Sequence, residues 1–306
     1  MSRIAYLGPR GSFSEAALRS LPAAASAEML AEISVPAALN AARTGVVDAA
    51  LVPIENSVEG SVPLTLDELS NGVPLVIVDE AVVAVQFALV APRGTKLAGV
   101  RRIATHPHAQ AQVRGWLDVN LPKAIVIPAL STSAAAAELV DGGCNYDAAV
   151  AQVTTAEIYG LEVLADQIAD NPDATTRFVL VQLPGSVPAS TGADKTTLSL
   201  FIHQDQPGAL LSILTEFAVR GINLTRIESR PTRKQLGDYY FSVDIEGHVS
   251  DSRVAEALMG RHRVCLDVRY LGSYPRHDGN VAVLRAGVTD AEYAQAQVWL
   301  TKLKGN

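Results

Sequence analysis

Residues 184–194, PGSVPASTGAD, decide how the chain is divided. The stretch is rich in Pro, Gly and Ser and has no apolar periodicity, so it reads as a linker between two segments of different pattern. Toward the N-terminus, short apolar runs at 3–7, 49–54, 75–78, 82–90, 102–104, 124–127, 148–151 and 178–183 read as strands. Alanine-rich stretches at 13–20, 36–43, 107–119 and 133–140 read as helices. Strands alternating with helices of this length imply α/β units around mostly parallel sheets. Toward the C-terminus, 196–203 alternates, with Leu198, Leu200 and Ile202 on one face. Leu210, Leu211, Leu214, Phe217 and Ala218 then follow a helical stripe stopped by Gly221. Strands at 222–230 and 239–246, a helix at 250–259 and a strand at 264–271 complete the order βαββαβ, the ferredoxin-like arrangement. Residues 276–306 form a tail with one helix over 290–303.

The length, 306 residues, suits about two domains. With 25 basic against 32 acidic residues, a net charge of −7 and no Lys/Arg block, the chain lacks the electrostatic footprint of a nucleic-acid or anionic-membrane binder. An anionic ligand must then be held by a few local cations and backbone N–H groups. Cys144 and Cys265 fit neither a disulfide framework nor a zinc pattern and read as reduced thiols. The opening MSRIAYLGPRGSFSE has no apolar stretch after a basic start, and the run 73–91 is broken by Asp79 and Glu80. Neither a secretory signal nor a membrane span is expected, and the reading is cytoplasmic.

Polar residues gather where strands end, the places where open α/β sheets bind ligands. Gly8-Pro9-Arg10-Gly11-Ser12 follows the first strand, and Ser12-x-x-Glu15 reads as a capping box. Glu55-Asn56-Ser57 with Gly60 follows another, as do Thr105-His106 and Ser131-Thr132-Ser133. Thr175-Thr176-Arg177 precedes the strand at Phe178. Each has a structural alternative: Ser12, Ser131 and Ser133 as helix caps, 55–57 as turn chemistry, His106 as a structural histidine. Arg177 against an apolar strand needs a partner. These hydroxyls, amides and few arginines suit anion binding and hydrogen-bond donation rather than metal ligation. The residues alone describe a two-lobed α/β anion binder with a small αβ module.

Taken in order, these segments resemble the prephenate dehydratase family over nearly the whole chain. The resemblance rests on Tyr6-Leu7-Gly8-Pro9-x-Gly11-Ser12-Phe13-Ser14 (with Ser12 where threonine is usual) and on Pro53-Ile54-Glu55-Asn56-Ser57-x-x-Gly60. It continues through Thr105-His106-Pro107 with Gln112, Ser131-Thr132-Ser133-Ala134-Ala135 and Thr175-Thr176-Arg177-Phe178. The second module is similar to an ACT domain, through Pro207-Gly208-Ala209-Leu210, Asn223-Leu224 and Glu228-Ser229-Arg230-Pro231.

The resemblance implies a two-lobed, periplasmic-binding-protein-like catalytic domain over 1–183, with lobe one at about 1–78 and 178–183 and lobe two at about 79–177. A linker at 184–194, an ACT domain at 195–275 and the tail at 276–306 follow. It implies the cofactor-free conversion of prephenate to phenylpyruvate. Thr176, Arg177, Asn56, Glu55 and Ser57 would serve catalysis, and Thr105, Gln112, Ser131, Thr132 and Phe178 substrate binding. Thr176 is assigned to the leaving hydroxyl and Arg177 to a substrate carboxylate. Phenylalanine would act through Pro207, Gly208, Ala209, Leu210, Asn223, Leu224, Glu228, Ser229 and Arg230, in a homodimer or homotetramer paired through ACT modules. Arogenate dehydratase and a non-catalytic amino-acid sensor are the competing readings.

Overall fold

The structure is a computed structural model, and it describes residues 2–203, 206–233, 235 and 237–305. The chain runs β1 (Arg3–Leu7), α1 (Phe13–Ser20), β2 (Glu28–Glu32), α2 (Val35–Arg43), β3 (Ala49–Asn56), β4 (Gly60–Ser61), α3 (Pro63–Ser70), β5 (Val76–Ala84) and β6 (Ala88–Ala91). Next come β7 (Arg102–Thr105), α4 (Pro107–Gln112), α5 (Arg114–Asn120), β8 (Ile125–Pro128), α6 (Thr132–Asp141), β9 (Ala148–Ala151), α7 (Val153–Tyr159), β10 (Glu162–Ala165) and β11 (Thr175–Gln182). The remainder is β12 (Asp194–Phe201), α8 (Ala209–Val219), β13 (Leu224–Pro231), β14 (Tyr239–Glu246), α9 (Ser252–Val264), β15 (Asp267–Pro275) and α10 (Asp290–Leu303).

Residues up to Thr65 together with Ala81–Val179 form one compact unit; Leu66–Glu80 and the residues from Leu180 onward form the other. The first unit holds two α/β lobes. Lobe one is built on a sheet of order β2-β1-β3-β11-β5, with β4 paired to β3. Lobe two is built on β10-β6-β9-β7-β8. The pairs β1–β2, β1–β3, β7–β8 and β7–β9 are parallel, so their connecting helices cover the sheet faces. Strands β6 and β9 are buried along their whole length, which explains why they read as unbroken apolar runs.

The second unit carries the antiparallel sheet β13-β14-β12-β15, with α8 and α9 in the βαββαβ order expected from sequence. Leu198, Leu200, Ile213, Phe217, Val243, Ile245, Val254 and Ala257 form its core. The opposite sheet face is polar and buried: Asp244 takes the Arg226 guanidinium at 3.1 Å and the Thr197 hydroxyl at 2.8 Å.

Several elements differ from the sequence reading. Strands 75–78 and 82–90 are instead one nine-residue strand, β5, containing Asp79 and Glu80, followed by β6. Glu80 is tolerated because Lys195 binds its carboxylate at 3.0 Å. The helix expected over 107–119 is two, α4 and α5, separated at Val113. Strands β2 and β10 and helices α3 and α7 are additional. The capping box is only half made: Ser12 Oγ accepts from Glu15 N at 3.3 Å, but the Glu15 carboxylate takes the N–H of Gly11 at 2.6 Å. Among the described residues no helix is long and apolar enough to cross a membrane.

Within the second unit, Gly272 sits at a φ of +134° beside a bulge in β15, and a Cβ there would lie 2.2 Å from the carbonyl oxygen of Ile77. Replacing Gly272 by Ala therefore adds both backbone strain and a clash with main chain. A loss of about 2–4 kcal/mol in a urea or thermal melt is expected; a variant as stable as the parent would contradict the packing described.

Candidate functional site

The parallel strands of each lobe deliver loops and helix N-termini to one cleft of about 490 Å³ in the first unit. Lobe one contributes Ser12, Phe13 and Ser14 at the start of α1, Asn56 at the end of β3, and Thr176 and Phe178 from β11. Lobe two contributes His106 and Gln112 around α4 and Ser131, Thr132 and Ser133 at the start of α6. Ser12 and Ser131 are the N-caps, each accepting from the backbone N–H three residues on, at 3.3 and 3.0 Å. The first-turn N–H groups of both helices lack intrahelical acceptors and carry the positive ends of the helix dipoles. Two such ends facing one cleft make an anion site without a lysine. Val85, Phe87 and Pro63 supply an apolar wall.

Asn56 and Thr176 meet at 2.7 Å, with the Asn56 Nδ2 donating to the Thr176 hydroxyl oxygen. The Asn56 Oδ1 accepts from Val58 N and Glu59 N at 2.8 and 3.0 Å, which fixes the amide so that its NH₂ faces Thr176. The Thr176 hydroxyl is thereby set to give its own proton to another acceptor. Ser57 ties the two segments together, since its N–H donates to Thr175 O and its Oγ accepts from Thr175 N, both at 2.9 Å.

Other expected site residues sit elsewhere. Arg177 and Glu55 do not line the cleft; they pair with each other at 3.5 Å. Successive side chains of a strand point to opposite faces, so Thr176 and Phe178 reaching the cleft turns the intervening Arg177 away. Thr105 is fully buried, and its hydroxyl donates to Val150 O at 3.2 Å, so it joins β7 to β9 rather than reaching the cleft. Gln112 does line it: its side chain is buried and its Oε1 has no hydrogen-bond partner among the described residues.

His106 and His108 lie edge to face with ring centroids 4.9 Å apart, both in the cleft wall. The His106 Nδ1 accepts from His108 N at 3.2 Å, which places the proton of the neutral ring on Nε2. Burial first, and the His108 ring second, hold His106 below the usual histidine range, while Glu59 acts in the opposite sense. The sequence reading gives His106 a structural alternative and assigns no site role to His108, Phe13 or Ser14. Proline at the first position of α4 and the Gly8–Ser12 turn were the available signals, but only the fold shows that these helix ends face each other.

In the second unit, a shallow hollow is lined by Gly208, Ala209, Leu210, Leu211, Leu214 and Phe241. Gly208 caps α8 at a φ of +86°, a conformation that favours glycine. Ser229 is paired with Phe241 and lies on the same sheet face. Glu228 and Arg230 alternate to the other face, where Arg230 binds the Asp67 carboxylate at 2.9 Å alongside Arg233 and the Tyr240 hydroxyl. Asn223 accepts from Glu246 N at 2.9 Å, and Leu224 begins β13 opposite Ile245. The hollow thus gathers Gly208–Leu210 with Phe241, Ser229 is the ladder neighbour of Phe241, and Glu228 and Arg230 lie on the other face. Among the described residues no cluster of three or more His, Cys, Asp or Glu side chains is placed to hold a metal ion.

Comparison with known proteins agrees with this geometry. The prephenate dehydratase family model matches residues 4–185, and the ACT domain model matches 196–262. Prephenate dehydratase of Amycolatopsis methanolica is 46% identical, with 99% of this chain and 98% of that protein covered. That of Mycobacterium tuberculosis (strain ATCC 25618 / H37Rv) is 48% identical, covering 99% and 94%. A crystal structure of prephenate dehydratase in complex with L-Phe from Arthrobacter aurescens superposes with a TM-score of 0.94 at 49% identity, covering 99% of this chain and 100% of that one. With a cleft between two α/β lobes in the first unit and a ferredoxin-like module in the second, this chain belongs to the prephenate dehydratase family and carries a C-terminal ACT domain.

Proposed function

We propose that the cleft of the first unit converts prephenate to phenylpyruvate, and that Thr176 acts on the departing hydroxyl. The observation that carries this assignment is the Asn56–Thr176 hydrogen bond, whose direction leaves the threonine proton for the substrate. In the reaction the bond between the ring and its carboxylate breaks and carbon dioxide leaves. The electron pair completes the aromatic ring as the ring C–O bond breaks on the other side. The oxygen departs with that bond's electrons and needs one proton to become water. A threonine hydroxyl is a poor acid, so its part is to hold a hydrogen bond that strengthens as charge grows on the oxygen, with the proton relayed from water. The unpartnered Gln112 Oε1 supplies an acceptor for the substrate hydroxyl before it leaves.

The carboxylates of a dianion fit the two helix N-termini, one led by Ser12 and the other by Ser131 and Thr132. Arg177 then acts indirectly: by holding Glu55 it braces the β3 end on which Asn56 sits. In the second unit, L-phenylalanine is assigned to the hollow at the start of α8, with a second copy of the chain completing the site in a homodimer or homotetramer. The apolar lining from Leu210 to Phe241 and the L-Phe complex of the Arthrobacter relative support this reading.

The test is phenylpyruvate formation from prephenate, with arogenate as the competing substrate and with phenylalanine present or absent. Turnover of prephenate that phenylalanine suppresses is expected; preference for arogenate, or no turnover of either, would overturn the reading. Thr176→Ala is expected to lower kcat about 10²–10⁴-fold with little change in KM, and a near-normal kcat would remove Thr176 from the role.

His106 gives a pH prediction. Its folded-state pKa lies below the unfolded value near 6.5, so the unfolded chain binds more protons as pH falls through that range. The stability present above pH 6.5 is therefore lost progressively on acidification, and His106→Gln should lessen that loss. By NMR the ring should titrate below 6.5, and lower still in Glu59→Gln; titration at or above 6.5 would contradict the buried placement.

A further inference from the structure

The loop that carries the cleft's Gly8 and Ser12 is held from both lobes. On the lobe-one side, Gly8 N donates to Glu32 O at 2.9 Å, Gly11 N to the Glu15 carboxylate at 2.6 Å, and Ser12 Oγ to Leu7 O at 2.9 Å. Burial, and after it Glu15, push the Tyr6 phenol up to about 12, so it stays a donor facing the same carboxylate at 3.5 Å. Within the turn Ser12 N also donates to Pro9 O at 3.2 Å, which leaves the carbonyls of Arg10 and Gly11 to take donors from elsewhere.

Those donors come from lobe two, from one face of α7. Thr155 Oγ1 donates to Gly11 O at 2.7 Å, and Gln152, the N-cap of α7, reaches the same oxygen at 3.4 Å. One helical turn on from Thr155, the Tyr159 hydroxyl donates to Arg10 O at 3.1 Å. Positions 155 and 159 are four apart and so share a face. Gly11 permits the approach, because a Cβ there would lie 3.2 Å from the Thr155 Cγ2. A second contact runs beside it: Phe13, the first residue of α1, meets Phe87 of the lobe-two core edge to face at 5.6 Å. Thr155 is fully buried and lies outside the cleft lining, so it has no access to substrate.

We propose that Thr155 is a positioning residue: by clamping the Gly11 carbonyl it fixes the N-terminus of α1 against lobe two and so sets the spacing of the cleft's two anion-binding walls. This rests on the prephenate reading for its choice of substrate, but the clamp itself does not. Ground state and transition state need the same spacing of their carboxylate sites, so loosening the clamp removes binding common to both. That signature is a raised KM with kcat preserved.

The experiment compares Thr155→Val, which keeps the shape and deletes the donor, with Thr155→Ser, which keeps the donor. In the full-length protein, Thr155→Val is expected to raise KM for prephenate roughly tenfold while kcat stays within about threefold, and Thr155→Ser to restore KM. Hydrogen–deuterium exchange of residues 8–14 should quicken in the valine variant and recover in the serine variant. An unchanged KM, or equal damage from serine and valine, would overturn the proposal, since the second result marks packing rather than the hydroxyl. If the parent protein fails to turn over prephenate, the substrate reading falls and exchange decides the clamp alone: no quickening in Thr155→Val would end it.

Discussion

A protein of net charge −7 that is to hold a dianion in a cleft almost without cationic side chains depends on the backbone for positive charge. That constraint governs much of the first unit. N–H groups at a helix start are useful only if the helix points at the ligand, and parallel strands are what aim successive helices toward the same end of a sheet. Hence β1 leads to α1 in lobe one, and β8 to α6 in lobe two, each through a serine cap. Lysine would bring charge more cheaply in sequence terms, but as a mobile point charge without direction. Backbone donors cost no side-chain entropy when the ligand arrives, and they do not change protonation state with pH.

In the proposed reaction the chemistry falls to neutral groups whose hydrogen-bond directions are settled in advance. Asn56 is the clearest case. Its carbonyl is committed to two backbone N–H groups of its own turn, so its amide has one remaining orientation, and that orientation sets the direction of the Thr176 hydroxyl. Preorganisation of this kind is worth more in a site that excludes water than the same groups would be in solution. The order of effects runs from turn geometry to amide orientation to hydroxyl direction.

Much of this was legible in the sequence, for identifiable reasons. The ferredoxin-like module announces itself through the alternation at Leu198, Leu200 and Ile202, followed by the Leu210–Phe217 stripe, and the buried strands through runs such as 148–151. Strand β2, EMLAE, was missed because it is an edge strand of mixed exposure with little apolar contrast. Helices α3 and α7 lack a capping signature: Gln152 caps α7 by position but makes no side-chain bond to its first turn. Thr105 and Arg177 lie outside the cleft lining for a different reason. Both lie beside true cleft residues in sequence, and adjacency along a strand puts neighbours on opposite faces. The alternation rule could have separated Arg177 from Thr176 and Phe178; nothing in one dimension could have told that Thr105 spends its hydroxyl on Val150.

The segment Leu66–Glu80 belongs with the C-terminal residues although it precedes most of lobe two in sequence. Its Asp67 is held by Arg230, Arg233 and Tyr240, its Ser70 by Ser199 at 2.7 Å, and its Glu80 by Lys195. The linker near residue 185 is thus a seam in the chain and in the family models, but not in the packing. A chain cut there would lose the cations that hold Asp67 and Glu80 together with the elements that cover them. A cut at the linker would therefore not divide the chain into its two packed units, because Leu66–Glu80 would be left on the wrong side of it.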